Sequence, residues 1–347
     1  MYGTCRHQDW WELGSALKKE HHDKDLEIIK EMGATTIRLA HYQQAEYIYA
    51  KCDSIGFIVW AEIPFVNSVS TLETENAKQQ LTELIRQNYN HPSIYVWGGL
   101  HNEVYKPFQQ TIPLTTTLHD LAKTEDPYRY TISVSGYNAI DATANNNADI
   151  QGINHYFGWY GGKIGGDIKD WAEKIEKEFP DHNVMFSEYG GEANIYQQKE
   201  DVGEIGGDCC GFDKKYYETF GTKFHEIQWG GIISQHPYIL ASYIWNTFDF
   251  GTPPLSSQGG IHSRNMKGLV TFDRKTKKDP FYWYKANWSK EPVLYLTQRR
   301  ADQRENENTS VTVYSNTGTP PRLYINNTEV TDFSKGTTPL FTTFSML

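Results

Sequence analysis

Two glutamates in this chain stand where they could act together as a catalytic pair. Glu103 closes the run SIYVWGGLHNE, and Glu188 lies in FSEYGG, whose two glycines would let the backbone approach a ligand closely. Hydrolysis of a glycosidic bond needs two facing carboxyl groups: one protonates the leaving oxygen and the other attacks the anomeric carbon. A separation of about 5 to 5.5 Å leaves no room for an intervening water and gives retention of configuration. Asn102, directly before Glu103, is placed to hydrogen-bond the sugar 2-hydroxyl.

The stretches around these residues predict a closed parallel barrel. Eight short apolar or β-rich runs recur, each followed by a polar stretch with helical periodicity, which is the pattern of βαβ units. Such an alternation with right-handed crossovers closes into an α/β fold of the (β/α)8 TIM barrel type. The runs are YGTCRH, TTIRLAHY, FIVWAEIP, SIYVWGGLHNE, YTISVS, IQGINHYF, NVMFSEYG and YIWNTFDF, the last beginning at Tyr243.

In such a barrel, polar residues at the carboxyl ends of the strands point into the active site. Glu103 ends the fourth run and Glu188 the seventh, so we expect them to converge across the barrel mouth. Taken singly, either glutamate could equally be an ion-pair partner or a helix cap. Other polar residues at strand ends are His7, Asp9, Arg38, His41, Glu62, His101, Asn154, His155, Tyr156, Trp245, Asn246 and Asp249.

The last part of the chain has a different sequence pattern. After Lys290 the runs VLYL, SVTVYS and RLYIN are separated by Asn, Thr, Gly and Pro, which is typical of short antiparallel strands. A full β-sandwich needs about 100 residues, more than this segment holds. We therefore predict a catalytic barrel over residues 1–290 and a partial, immunoglobulin-like β-rich segment over 291–347.

Charge and composition limit the possible ligands. The formal net charge is −10 and no extended cluster of Lys and Arg occurs, which argues against nucleic acid as a partner. The chain has 23 Tyr, 16 Phe and 10 Trp, a surplus that suits flat ligands such as sugar rings but also suits core filling. A carbohydrate is the expected partner.

The sequence predicts no membrane segment. No stretch of about 18 apolar residues exists, and the opening YGTCRHQDW lacks the charged start and apolar run of a signal peptide. The compartment stays open among secreted, periplasmic and cytoplasmic. Cys5, Cys52, Cys209 and Cys210 form no CxxC pair and have no His spacing suited to zinc.

The sequence motifs of the first 290 residues resemble those of glycoside hydrolase family 2, which contains β-galactosidases, β-glucuronidases and β-mannosidases. The resemblance is carried, in this order, by CRHQDW, RLAHYQQAEYIYAKCDSIGFIVWAEIPF, NHPSIYVWGGLHNE, INHYFGWY, FSEYGG, WNTFDF and KGLVTFDRKTKKDPFYWYKANW. Among these enzymes, the motifs are most similar to those of β-galactosidases. The resemblance implies a retaining exo-β-galactosidase that works through a covalent glycosyl-enzyme intermediate.

The resemblance also implies roles for individual residues. Glu103 would be the general acid/base and Glu188 the nucleophile, with Asn102 on the 2-hydroxyl. Tyr156 would hydrogen-bond the nucleophile, and Trp245 would form a stacking wall. The further residues expected to bind the sugar are His7, His41, Glu62, Asn154, Asn265 and Lys267.

Two departures from the family pattern concern metal binding and the third strand. That strand ends in Ala61-Glu62 where many members have Asp-Glu. Val66 and Ser68 stand near places where magnesium-dependent β-galactosidases have Glu and His ligands, and neither side chain can replace these. We therefore predict no metal and no cofactor.

The sugar has a second candidate. Asn265 and Lys267 form an Asn-x-Lys motif at the place where β-glucuronidases bind the sugar carboxylate. A Lys point charge suits a carboxylate, although a solvated loop lysine explains the motif equally well. A β-glucuronidase or another β-hexosidase of the family is therefore the alternative.

A function of another class also stays open. Family members normally carry two β-domains before the barrel, and this chain begins with the first barrel strand. We expect a fragment of a longer protein or a minimal member, with exposed edges that favour association into a homo-oligomer. A carbohydrate-binding fragment with weak catalysis is the alternative to an enzyme.

Overall fold

The computed structural model describes residues 1–66, 72–100, 111–135, 146–160, 166–198, 217–253, 261–302, 309–330, 334–335 and 342–346. Its strands are β1 (Tyr2–Arg6), β2 (Thr36–Leu39), β3 (Ile58–Glu62), β4 (Ile94–Gly98), β5 (Tyr130–Ser135), β6 (Ile150–Asn154), β7 (Val184–Tyr189), β8 (Ile239–Ile244), β9 (Phe250–Gly251), β10 (Arg264–Asn265), β11 (Leu294–Leu296), β12 (Val311–Ser315), β13 (Leu323–Ile325), β14 (Thr328–Val330), β15 (Ser334–Lys335) and β16 (Thr342–Met346). Its α-helices are α1 (Lys19–Met32), α2 (Glu46–Ile55), α3 (Thr74–Asn88), α4 (Thr111–Glu125), α5 (Gly166–Glu178), α6 (Glu218–His225) and α7 (Asp279–Trp288).

The first eight strands form a closed barrel in sequence order. Every neighbouring pair is parallel, and β8 returns to β1 with Gly3 opposite Tyr243, which closes the ring. The predicted (β/α)8 barrel is confirmed. Because all strands run the same way, their carboxyl ends meet at one mouth of the barrel.

The eighth strand begins earlier than the sequence pattern predicted. It spans Ile239–Ile244, whereas the predicted run started at Tyr243. The aromatic run that follows leaves the barrel wall, and Phe248 pairs with Val270 in an isolated bridge. The prediction was wrong here because aromatic and apolar residues fill the barrel mouth as readily as its wall.

Helix α1 follows from its apolar spacing and its terminal glycine. Leu26, Ile28 and Ile29 are all buried against the barrel, as the spacing predicts. Gly33 ends the helix with φ 92°, in the left-handed region that favours glycine. A Cβ there would also lie 2.5 Å from the backbone of Trp288, so the residue must lack a side chain.

Alternation along the strands divides the core into two clusters. One set of strand residues packs outward against the helices, as Ile37 and Trp97 do. The other set forms a separate cluster to which none of the described helices contributes, and it includes Trp60, Met185 and Tyr243. Side chains on successive strand residues point to opposite faces, so this second cluster fills the barrel interior.

The C-terminal segment forms small antiparallel sheets, one of which packs against the barrel. Strands β11, β12, β16 and β15 make one sheet, and β13 pairs with β14. Tyr295 stacks on Tyr282 of α7 at 3.7 Å and donates a 2.6 Å hydrogen bond to Asp279. Tyr314 donates to Glu226 at 2.7 Å. The position of the domain boundary near residue 290 stays a prediction.

None of the helices in the described part of the chain is long and apolar enough to cross a membrane. Cys5 and Cys52 are free thiols buried in the core. Cys209 and Cys210 lie outside the described residues.

The Glu226 contact predicts how stability depends on pH. Burial raises the pKa of Glu226 to about 7 from an ordinary value of 4.5, although the hydrogen bond from Tyr314 lowers it. Between these values the folded state keeps a proton that the unfolded state has released. The stabilisation from this proton is therefore complete at low pH and is lost as the pH rises through about 7.

We expect the Glu226→Gln variant to lose less stability than the wild type between about pH 5 and pH 8. One unit of pKa shift corresponds to about 1.4 kcal/mol, so the two curves should diverge by roughly 2 kcal/mol. Urea unfolding at both pH values measures this. The control Glu173→Gln, on the exposed face of α5, should follow the wild type. Parallel curves for Glu226→Gln would contradict the prediction.

Candidate active site

The guanidinium of Arg38 lies at the centre of the barrel mouth. Strand β2 places it on the interior face, where its side chain is 0% exposed and lies 4.3 Å above the ring of Trp60. Nε and Nη2 donate to the two oxygens of Glu62 at 3.1 and 3.0 Å, and Nη1 donates to Oε1 of Glu188 at 2.8 Å. One buried cation therefore joins carboxylates at the ends of β3 and β7.

Glu188 is held by donors on both of its oxygens. Oε1 accepts from Arg38 and lies 3.7 Å from Nε2 of His41. Oε2 accepts from the hydroxyl of Tyr156 at 2.9 Å. Glu188 lies at the end of β7 and is only 4% exposed. These contacts restrict it to one orientation at the floor of the mouth.

Glu62 is the buried counter-charge of Arg38. Burial raises its pKa, but the charge of Arg38 and a hydrogen bond to His41 outweigh burial and lower the pKa below its ordinary value. The distance from Nδ1 of His41 to Oε1 of Glu62 is 2.8 Å. The carboxylate therefore remains ionised at neutral pH.

An aromatic wall encloses one side of the mouth. The rings of Trp245 and His41 stack with centroids 4.8 Å apart, and His7 contacts Trp245 edge-on at 5.2 Å. Burial, and to a smaller extent the nearby charge of Arg38, lowers the pKa of His7 well below its usual value. His7 is therefore neutral at neutral pH and can both donate and accept a hydrogen bond.

A second cation, Lys267, lies behind Tyr156. Its Nζ is 4.9 Å from the ring centre of Tyr156, 4.5 Å from that of Trp159 and 5.0 Å from that of Tyr160. Its side chain is 2% exposed, and Oε1 of Glu192 is 3.5 Å away. The backbone N–H of Lys267 donates to Oδ1 of Asn265 at 2.9 Å.

Most of the predicted site residues come together in the structure. His41, Glu62, Tyr156 and Glu188 form one contact network, and it continues through His41 to His7 and Trp245 at the aromatic wall. Asn154 lies one contact further out, where it accepts a 2.7 Å hydrogen bond from Ser187. Lys267 lies over the ring of Tyr156, and Asn265 accepts a hydrogen bond from the backbone N–H of Lys267.

Glu103 and Asn102 lie outside the described residues, as does Ser68. The separation of Glu103 from Glu188 and the retaining geometry therefore stay predictions. Among the described residues, no group of three or more His, Cys, Asp or Glu side chains is arranged to hold a metal ion.

Sequence reasoning missed two charged residues of this region. Arg38 was noted at a strand end but was given no role, although an arginine on the interior face of a strand needs buried carboxylate partners. Glu192 was not noted at all. Its signal was a charge four residues after Glu188, just beyond the two glycines.

Comparison with known proteins identifies relatives over most of the chain. Residues 1–291 match the family model for glycosyl hydrolases family 2, TIM barrel domain. A β-glucuronidase of Bacteroides fragilis is 40% identical over 314 residues, which cover 88% of this chain and 44% of that protein. This chain therefore spans less than half of that relative's length.

Two solved structures have the same fold over the whole chain. One is named "putative beta-galactosidase" from Bacteroides fragilis, with 59% identity and a TM-score of 0.93, covering 100% of this chain and 50% of that one. The other is an FMN-binding β-glucuronidase from Faecalibacterium prausnitzii, with 40% identity and a TM-score of 0.89, covering 99% and 52%.

The buried network predicts a large stability loss when Glu62 is neutralised. In the Glu62→Gln variant, Arg38 loses half of its compensating charge in a buried site, so the free energy of unfolding should fall by about 3 kcal/mol. Chemical denaturation at pH 7 measures this. The control Glu173→Gln removes an exposed ion pair with Lys169 and should change stability by less than about 0.5 kcal/mol. Equal losses in the two variants would refute the role of Glu62.

Proposed function

Since this chain belongs to glycosyl hydrolase family 2, we propose that it hydrolyses terminal β-glycosides with retention of configuration. Glu188 is the proposed nucleophile and Glu103 the proposed general acid/base. The observation that carries the proposal is the placement of Glu188: a buried carboxylate at the end of β7, with each oxygen held by one donor. A nucleophile must be oriented in this way to attack a carbon in line with its leaving group.

The proposed reaction has two steps. In the first, an oxygen of Glu188 bonds to the anomeric carbon, and the leaving glycosidic oxygen takes the proton of Glu103. In the second, Glu103 accepts a proton from water, the resulting hydroxide oxygen bonds to the anomeric carbon, and the ester to Glu188 breaks. Both carboxyl groups return to their starting states.

The charges around Glu188 support this mechanism. Arg38 carries one positive charge, while Glu62 and Glu188 together carry two negative charges before reaction. The cluster is therefore net negative next to the carbon on which positive charge develops, which stabilises an oxocarbenium-like transition state. After the ester forms, Arg38 remains neutralised by Glu62, so the intermediate leaves no unpaired cation.

For the sugar we propose a β-glucuronide. The sequence was also compatible with a solvated lysine in a loop at position 267. In the structure, the side chain of Lys267 is 2% exposed. Its Nζ lies 4.9 Å from the ring centre of Tyr156, whose hydroxyl donates a hydrogen bond to Glu188. A buried ammonium this close to the proposed nucleophile suits the carboxylate of a uronic acid. The name of the 40% identical curated relative supports the same sugar.

A β-galactoside, which the sequence words favoured, is the second candidate. The 59% identical structure from Bacteroides fragilis carries a β-galactosidase name, which is the specific observation in its favour. A β-glucuronide and a β-galactoside differ in both the C6 group and the C4 configuration, so rates on matched aryl glycosides separate the two.

The test compares initial rates on nitrophenyl β-glucuronide, β-galactoside, β-glucoside and β-mannoside. We expect the glucuronide to give the highest kcat/KM. The rate should be the same in EDTA, because Val66 stands near the place of a metal ligand in metal-dependent relatives and cannot bind a metal. Glu188→Gln should lower kcat by at least about a thousandfold, since an amide is a poor nucleophile. The exposed control Glu173→Gln should keep the wild-type rate.

Three outcomes would change this proposal. Near-normal rates of Glu188→Gln would remove Glu188 as the nucleophile. A preference for the galactoside would select the second candidate. Failure to hydrolyse any of the four sugars, combined with a rise in melting temperature with glucuronate or galactose, would indicate a carbohydrate-binding role instead.

A further inference from the structure

Glu192 is a fully buried carboxylate that pairs with a buried lysine. It follows Glu188 by four residues and is 0% exposed. Within the described part of the chain, neither of its carboxylate oxygens has a hydrogen-bond donor. The ammonium of Lys267, 3.5 Å from Oε1, is its ion-pair partner. A buried carboxylate is expensive without compensation, so this pair needs a reason to exist.

The surroundings of Lys267 restrict where its ammonium can lie. Three aromatic rings, those of Tyr156, Trp159 and Tyr160, lie within 5.0 Å of Nζ. These faces attract a cation without donating to it, and by themselves they leave the flexible lysine chain several positions. Glu192 adds a directional attraction from one side, which selects one of these positions.

That position is linked to the proposed nucleophile through one side chain. Tyr156 faces Lys267 with its ring and donates from its hydroxyl to Glu188. The ammonium is therefore held about one tyrosine ring away from the carboxylate that would attack the anomeric carbon.

We propose that Glu192 is a positioning residue for sugar specificity, which holds the Lys267 ammonium where it receives the carboxylate of a uronic acid. The inference rests on the proposed function, because it takes the sugar to be bound at Glu188. Glu192 has no contact with the sugar in this scheme. Its effect passes through Lys267, so it should alter recognition of the C6 carboxylate and leave the rest of the sugar unaffected.

The test uses two ligands that differ only at C6. Phenyl 1-thio-β-D-glucuronide and phenyl 1-thio-β-D-glucoside carry a carboxylate and a hydroxymethyl group there, and their thioglycosidic bonds resist hydrolysis. Quenching of tryptophan fluorescence gives Kd for each ligand with the full chain. We expect the wild type to bind the thioglucuronide more tightly than the thioglucoside.

Glu192→Gln should weaken binding of the thioglucuronide by about tenfold or more and change that of the thioglucoside by less than about twofold. Glu192→Asp keeps the charge at a longer distance and should show a smaller loss confined to the thioglucuronide. The matched control Glu226→Gln removes another enclosed carboxylate, which pairs with Tyr314 of the C-terminal sheet, and should change neither Kd.

Several results would overturn the inference. Equal weakening of both ligands would indicate a purely structural role, and tighter binding of the thioglucuronide by Glu192→Gln would mean that Glu192 repels the sugar carboxylate. A wild type without preference for the thioglucuronide would also reject it. If Glu192→Gln does not fold, Glu192→Asp decides: a thioglucuronide-specific loss of about threefold supports the inference, and an equal or absent loss rejects it.

The same protein separates this inference from the proposed function. Hydrolysis of nitrophenyl glycosides tests the reaction, while the thioglycosides test recognition without any reaction. A wild type that hydrolyses nothing but loses thioglucuronide binding on Glu192→Gln would reject hydrolysis and keep the role of Glu192. Active hydrolysis with unchanged thioglycoside affinities in the variants would do the reverse.

Discussion

The burial of the Arg38 guanidinium is the constraint on which the rest of the barrel mouth depends. A guanidinium stays charged in proteins, so a fully buried one must be matched by carboxylates in hydrogen-bonding geometry. Glu62 supplies two contacts and Glu188 a third. Because these residues end β3 and β7, the requirement to neutralise one cation sets the relative position of strands on opposite sides of the barrel.

The closed barrel makes this arrangement possible. Its parallel strands deliver their carboxyl ends to one mouth, and the interior cluster below them, which includes Trp60 and Tyr243, excludes water from the floor. In such a site, charges interact more strongly than in water, and their geometry is fixed before a ligand arrives. The aromatic wall of His41 and Trp245 then offers a flat apolar face next to Glu188.

A second ion pair, Lys267 with Glu192, extends the charge pattern behind Tyr156. The two cations, Arg38 and Lys267, differ in how their positions are fixed. Arg38 is held by three directed hydrogen bonds to carboxylates, while ring faces surround the Lys267 ammonium and a carboxylate oxygen of Glu192 lies 3.5 Å from it. The Arg38 network therefore suits a rigid floor of the site. Lys267, by contrast, is a cation whose position the neighbouring charge of Glu192 selects.

The sequence by itself determined the barrel, the family and most residues of the mouth, because these depend on local patterns. Apolar runs with polar strand ends predicted eight strands, and Gly33 marked the end of α1. Tertiary structure alone decided which of these residues meet. Arg38 and Glu188 are 150 residues apart and touch because the barrel closes. Lys267 is buried because Glu192 and three aromatic rings from distant parts of the chain surround its ammonium. Local composition could not separate barrel wall from barrel mouth in the run after Ile244, since both are apolar. A contact between distant residues depends on how strands are ordered around the ring, and no local pattern contains that information.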